Sequence, residues 1–267
     1  MKAYITYFKL KFISSLQYRM AAWAGIATQF FFGFVYIMVY VAFYESGGDH
    51  LPMELSQVVT YLWLNQALLA LVNQFSRDQE LFKLIREGGI SYELTRPKNL
   101  YFMWYFKVIG QRLANVLLRF IPLILVTSLL PYPFHFGGPA SFPHFLLFLV
   151  SLGFGTLLVT ALTVFYPIVM LTTMNEKGIV NLIITVADIL SGIVVPIPFF
   201  PKFLQVISSL LPFQYISDLP FRIYVGNISI NDGVFGICIQ AIWIVLFILI
   251  GNFMMKRSLK RVVVQGG

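Results

Sequence analysis

Charge is the scarcest property of this chain. Asp, Glu, Lys and Arg make up 11% of its 267 residues, where a soluble protein carries about a quarter. Cysteine is scarcer still. Cys238 stands alone inside an apolar run, so no intramolecular disulfide and no cysteine-based metal site can form. Three histidines, His50, His135 and His144, fall in separate loops, the pattern of isolated loop residues rather than of a metal centre. No glycine is followed by Lys-Ser or Lys-Thr, so the chain lacks the loop that cradles a nucleotide phosphate. It also lacks HExxH and Gly-x-Ser-x-Gly, which removes the usual zinc-protease and serine-hydrolase arrangements. There is no internal repeat and no low-complexity tract. Asn227-Ile228-Ser229 fits the glycosylation pattern, which is common by chance.

What fills the chain instead is apolar. Hydrophobic residues reach 58% and aromatics 17%, too much for one globular core, so the solvent for most of the chain is lipid. Six runs are read as membrane spans, over about 20–44, 56–75, 102–130, 142–171, 179–195 and 234–255. The fifth is short and ends in Ile193-Val194-Val195-Pro196-Ile197-Pro198-Phe199-Phe200-Pro201, where three prolines forbid a continuous helix. Residues 203–216 are apolar but too few to cross, which predicts a re-entrant or interfacial helix within an outer segment, 196–232. Before the first span, Tyr4, Ile5, Phe8, Phe12 and Leu16 share one helical face with Lys2 and Lys9 at its margin. This predicts an amphipathic helix within residues 1–19, lying in the membrane interface.

The net charge of +8 is read from its placement, not as a nucleic-acid signal. One parity of segments collects nearly every Lys and Arg, including both ends of the chain. The other collects only Lys202 and Arg222. Positive residues mark the cytoplasmic side, so both termini are expected there, on a multi-pass protein of the cell membrane. One stretch from Arg77 to Lys107 is dense in charge of both signs. Its Leu81, Phe82, Leu84 and Ile85 give a helix ending at Arg86 an apolar surface. Gly88-Gly89 supplies a left-handed cap to end it, Pro97 pushes its predecessor out of helix, and a new helix can begin near Asn99.

The motif Ile85-Arg86-Glu87-Gly88-Gly89-Ile90-Ser91-Tyr92-Glu93-Leu94-Thr95-Arg96-Pro97, the inner turn Asn175-Glu176-Lys177-Gly178 and the order of segments resemble permease subunits of ATP-binding-cassette transporters of the type-2 exporter class. In particular they resemble six-span permeases that work with a separate ATPase, and the resemblance implies a bacterial protein. The resemblance implies an all-α membrane fold, a single permease domain over 1–267, and a cytoplasmic coupling segment at 77–101 that docks in a groove of the ATPase. It places the coupling contacts at Phe82, Ile85, Arg86, Glu87 and Arg96. It further implies a second permease, identical or related, surrounding membrane lipid, and no nucleic-acid partner. ATP would be used by the partner ATPase, with no cofactor and no metal held by this chain. Direction of transport, as export, rests on the resemblance alone. The substrate class it allows is amphipathic, drug-like, peptide or lipid-like.

Two ionisable residues fall inside spans. Arg119 lies roughly 18 Å along a helix from Lys107, and Asp188 roughly 16 Å from Lys177, so both reach the bilayer middle. An unpaired charge there costs several kcal/mol, which predicts an Arg119–Asp188 pair, structural or in a substrate path. Asn65, Gln66, Asn73, Asn115, Asn181 and Gln240 are read as inter-helix hydrogen-bonding groups. Ala21, Gly25, Ser151 and Gly155 would permit close helix approach. The aromatics Phe30, Phe31, Phe32, Phe34 and Tyr36 either face lipid or line a path. Two alternatives stay open: an ion-driven secondary transporter using Arg119 and Asp188, and a membrane-embedded lipid enzyme.

Overall fold

The computed structural model describes residues 2–17, 19–47, 51–74, 78–90, 93, 98–173 and 178–260. Helices are α1 (Lys2–Leu16), α2 (Arg19–Glu45), α3 (Leu55–Val72), α4 (Gln79–Arg86), α5 (Leu100–Thr127), α6 (Phe142–Thr173), α7 (Ile179–Leu190), α8 (Lys202–Leu210), α9 (Asp218–Tyr224) and α10 (Ile230–Leu259). Single 3-10 turns occupy Ile197–Phe199 and Phe213–Tyr215, and no strand occurs among the described residues. Among the described residues five helices, α2, α3, α5, α6 and α10, are long and apolar enough to cross a membrane.

The most enclosed is α3. Val58, Val59, Tyr61, Trp63, Ala67 and Val72 along it have no measurable exposure. It is surrounded by α2, α5, α6 and α9. In lipid, apolar burial gives little drive between helices, so packing and hydrogen bonds must hold them. Both are present. Phe30 and Phe34 of α2 meet Trp63 edge-on, with ring centres 6.1 and 5.3 Å away, and Trp63 Nε1 donates to Phe134 O at 2.8 Å. The aromatic run in α2 therefore divides. Phe30 and Phe34 pack inward, while Phe31 and Phe32 are exposed. Gln240 of α10 donates to Ser151 O and Tyr215 O, and Asn65 donates to Ile193 O at 2.6 Å. These two polar residues do what was expected of them.

One end of the bundle holds α1, α4 and the last turns of α10. Asn99 caps α5 there, accepting from Phe102 N, and donates to Asn252 of α10 at 2.8 Å. The opposite end is closed by contacts among separate loops. Gln57 donates to Val225 O, Asn227 donates to Pro52 O, and Ala140 N donates to Tyr224 O.

The expected fifth span is not one helix. α7 has 12 residues, about 18 Å, against about 30 Å of hydrocarbon. The break also comes earlier than the prolines. Gly192 takes φ +82°, a conformation that glycine enters without Cβ strain. A Cβ on it would lie 2.7 Å from Tyr61 Oη and 2.8 Å from Asp218 Cβ. The carbonyls freed by the break are met by side chains. Ser217 Oγ donates to Ser191 O at 2.7 Å, Tyr61 Oη to Gly192 O at 2.9 Å, and Asn65 to Ile193 O. An interrupted helix is tolerated at membrane depth only on such terms. From Val180, in one cluster with Leu81 and Phe82 of α4, to Asn227 at the opposite end, the chain thus runs through the bundle in pieces.

Candidate functional site

The charged stretch forms a short helix, α4, that is bound to the bundle more tightly than its sequence implies. Asp78 caps it, accepting from Leu81 N at 3.1 Å. Gly88, at φ +71°, ends it, and Gly88 N donates to Ile85 O, so the glycine stop read from the sequence is present. Leu81, Phe82 and Ile85 are 2–3% exposed. They lie in an internal cluster with Tyr101, Trp104, Val164, Ile168 and Ile184. This corrects the docking assignment of Phe82 and Ile85. Those side chains fill the permease's own core, because the first turns of α5 and the last turns of α6 offer them an apolar surface.

The face of α4 turned away from the bundle is polar. Gln79, Glu80, Lys83, Arg86 and Glu87 are exposed, and Lys83 sits 3.9 Å from Glu87 one turn on. Of the five coupling residues expected, Arg86 and Glu87 are on the open side and Phe82 and Ile85 on the closed side. Arg96 lies outside the described residues, as do Ser91, Tyr92, Leu94, Thr95, Pro97 and the inner turn 174–177.

A cluster of four charges fixes α4 in place. Lys107 of α5 sits 2.7 Å from both Asp78 and Glu80. Lys11 of α1 reaches Glu80 at 2.7 and 3.0 Å. Lys107 is 1% exposed, so its charge depends on these partners. Burial pushes the Glu80 carboxyl up, but hydrogen bonds from Lys107 and Lys11, with their charges, outweigh it and hold the group at about 2. The cluster joins three elements distant in sequence. Only the Asp78 cap, an acidic residue just before an apolar helical run, left a readable signal. α1 itself lies along α5, with Tyr4 stacked on Phe106 at 5.8 Å. Of its expected apolar face, Tyr4, Phe8, Phe12 and Leu16 are half-buried and Ile5 is exposed, as are Leu10 and Ile13 outside that face.

Arg112 forms a second buried tie. Its Nη1 donates to Leu71 O and its Nη2 to Thr163, both at 2.8 Å. It thereby satisfies a carbonyl at the end of α3, where a cation suits the helix dipole. The sequence had assigned it only to the cytoplasmic charge tally.

Arg119 and Asp188 are not brought together. The Arg119 guanidinium lies over Gly25 of α2, where a Cβ would fall 2.6 Å from its Cζ. Asp188 is 4% exposed, and neither carboxylate oxygen has a hydrogen-bond partner. They differ in depth: Gln74 donates to Ala187 O and Arg112 to Leu71 O, so Asp188 lies level with the end of α3 while Arg119 is two turns further along α5 than Arg112. Beside the α7 break, a cavity of about 170 Å³ opens between α2 and α3, lined by Thr28, Gln29, Phe32, Gln66, Ile193 and Val194. Gln29 is 3% exposed and its amide makes no hydrogen bond. Among the described residues no group of three or more His, Cys, Asp or Glu could hold a metal.

A family model described as "ABC-2 family transporter protein" matches residues 30–266. No curated protein and no solved structure matches the chain.

Proposed function

The chain belongs to the ABC-2 family of transporter proteins, and from that premise we propose that it is the membrane half of an exporter energised by a separate ATP-binding-cassette ATPase. The observation that carries this reading is α4. It is a short helix with a polar open face, anchored behind by Leu81, Phe82 and Ile85 and at its start by Lys107 and Lys11. An element so held passes a push from a partner to α1, α5 and α6 together. A loop held only by its ends would absorb it. The docking surface is Gln79, Lys83, Arg86 and Glu87, with Arg96 nearby in sequence.

In this reading the α4 end is cytoplasmic, the fifth of six crossings is the broken passage from α7 to α9, and both termini share the cytoplasmic side. Two permeases, identical or related, form the transport unit. The 170 Å³ cavity beside the break suits the uncharged polar part of an amphipathic substrate, because Gln29 and Gln66 line it with apolar neighbours. Co-expression with candidate ATPases tests the reading. A permease that purifies with an ATPase and alters its ATP hydrolysis is expected. Failure of every co-encoded ATPase to bind would count against it. Labelling in sealed cells, with Cys238 replaced by Ser, should modify Gly138→Cys and spare Lys83→Cys; the reverse pattern would invert the orientation.

A further inference from the structure

At the end of the bundle away from α4, two basic side chains occur among the described residues, Lys202 and Arg222. Both line one cavity of about 740 Å³, with Pro52, Pro198, Gln205 and Asn227. That volume lies within the range of ligand pockets. A membrane protein otherwise keeps this side poor in cations, so their convergence on one recess calls for a ligand.

The recess is built. Asp218, 1% exposed, accepts on Oδ1 from Ile197 N at 3.1 Å and, 3.0 Å from Tyr61 Oη, shares that hydroxyl's one proton with Gly192 O. Its Oδ2 faces Arg222 Nη1 at 3.4 Å, and Asn227 Oδ1 accepts from Arg222 Nε at 2.7 Å. The guanidinium is thus fixed at two nitrogens, while Nη2 makes no hydrogen bond among the described residues. Lys202 forms no ion pair among them either. No acidic side chain lines the recess, and Asp218 behind it pairs with Arg222, so the lining keeps an excess positive charge. Such a fixed guanidinium beside a mobile ammonium suits an oxyanion.

The wall of the recess says what carries that oxyanion. On α8, Lys202, Gln205 and Ser209 turn to the cavity together with Val206, while Phe203, Ile207 and Leu210 are exposed and do not line it. α8 is therefore amphipathic, with its polar stripe on the recess and its apolar stripe free. We propose that this recess binds an anionic phospholipid headgroup, its phosphate held between Lys202 and Arg222 and its acyl chains lying along the apolar stripe of α8. The site does not depend on the ATPase reading and has its own test.

The full-length permease in neutral detergent is titrated with fluorescent phosphatidylglycerol and, separately, phosphatidylcholine. Tighter binding of phosphatidylglycerol is expected. Lys202→Gln should weaken it about fivefold, the scale of one partly exposed charge contact, and Lys202→Arg should restore it. The Lys202 side chain makes no hydrogen bond or ion pair among the described residues, so the thermal midpoint of Lys202→Gln should match wild type. Phe203→Ser with Leu210→Ser should weaken the lipid as well. Equal binding of the two lipids, or phosphatidylglycerol binding unchanged in Lys202→Gln, would overturn the proposal. So would displacement of the lipid by glycerol 3-phosphate at concentrations as low as the lipid's own.

Discussion

At the scale of single residues, α4 separates two kinds of importance. Phe82 is 2% exposed, and truncating a buried phenylalanine costs about 3–5 kcal/mol. Phe82→Ala should therefore lower the thermal midpoint and yield of the permease itself. A Phe82→Ala protein with wild-type stability would contradict the burial described. Glu80 gives a pH signature. Its folded value of about 2 lies below the ordinary 4.5. A depressed acid contributes stability above its unfolded value and loses it as pH falls towards the folded one. The clamp between α1, α4 and α5 should thus weaken between about 4.5 and about 2, read as the distance between spin labels on α1 and α4. In Glu80→Gln that acid-dependent loosening should be flatter; an identical profile would show that another group controls it.

At the scale of elements, the break after α7 governs the architecture. Asp218 holds it together by accepting from Tyr61, Ile197 N and Arg222. Asp218→Leu leaves the buried Ile197 N without its acceptor, at about 1–3 kcal/mol, while Tyr61 keeps Gly192 O and Arg222 keeps Asn227. A fall in thermal midpoint larger than that of Asp218→Asn is expected, because the amide keeps one accepting oxygen. Equal midpoints for both would refute this account of the knot. The sequence made a broken fifth crossing legible through Pro196, Pro198 and Pro201. It did not show that Gly192 comes first, because that depends on Tyr61 and Asp218, far away in the chain. Asp218 and Arg222 stand four apart, a spacing at which an acid and a base pair along a helix. That signal was readable and went unused.

At the scale of the whole molecule, the apolar runs, the basic asymmetry and the Gly88 stop were all legible, because each is set by composition or local chain chemistry. Which face of α4 turns inward was not. Leu81, Phe82 and Ile85 mark an apolar face, but the sequence does not say whether a partner or the chain's own α5 and α6 covers it. The Arg119–Asp188 pair is absent for a related reason: helix rise gives distance along one helix, and how two helices sit against each other is set by tertiary contacts such as Gln74 to Ala187 O. The central claim is that the open polar face of α4 receives the ATPase. Its most direct measurement is the amount of ATPase retained per permease after purification of a Lys83→Glu, Arg86→Glu double variant, with the permease's thermal midpoint as control. The account predicts that retention falls well below wild type while the midpoint holds, since both side chains are exposed. Full retention with normal transport would contradict it.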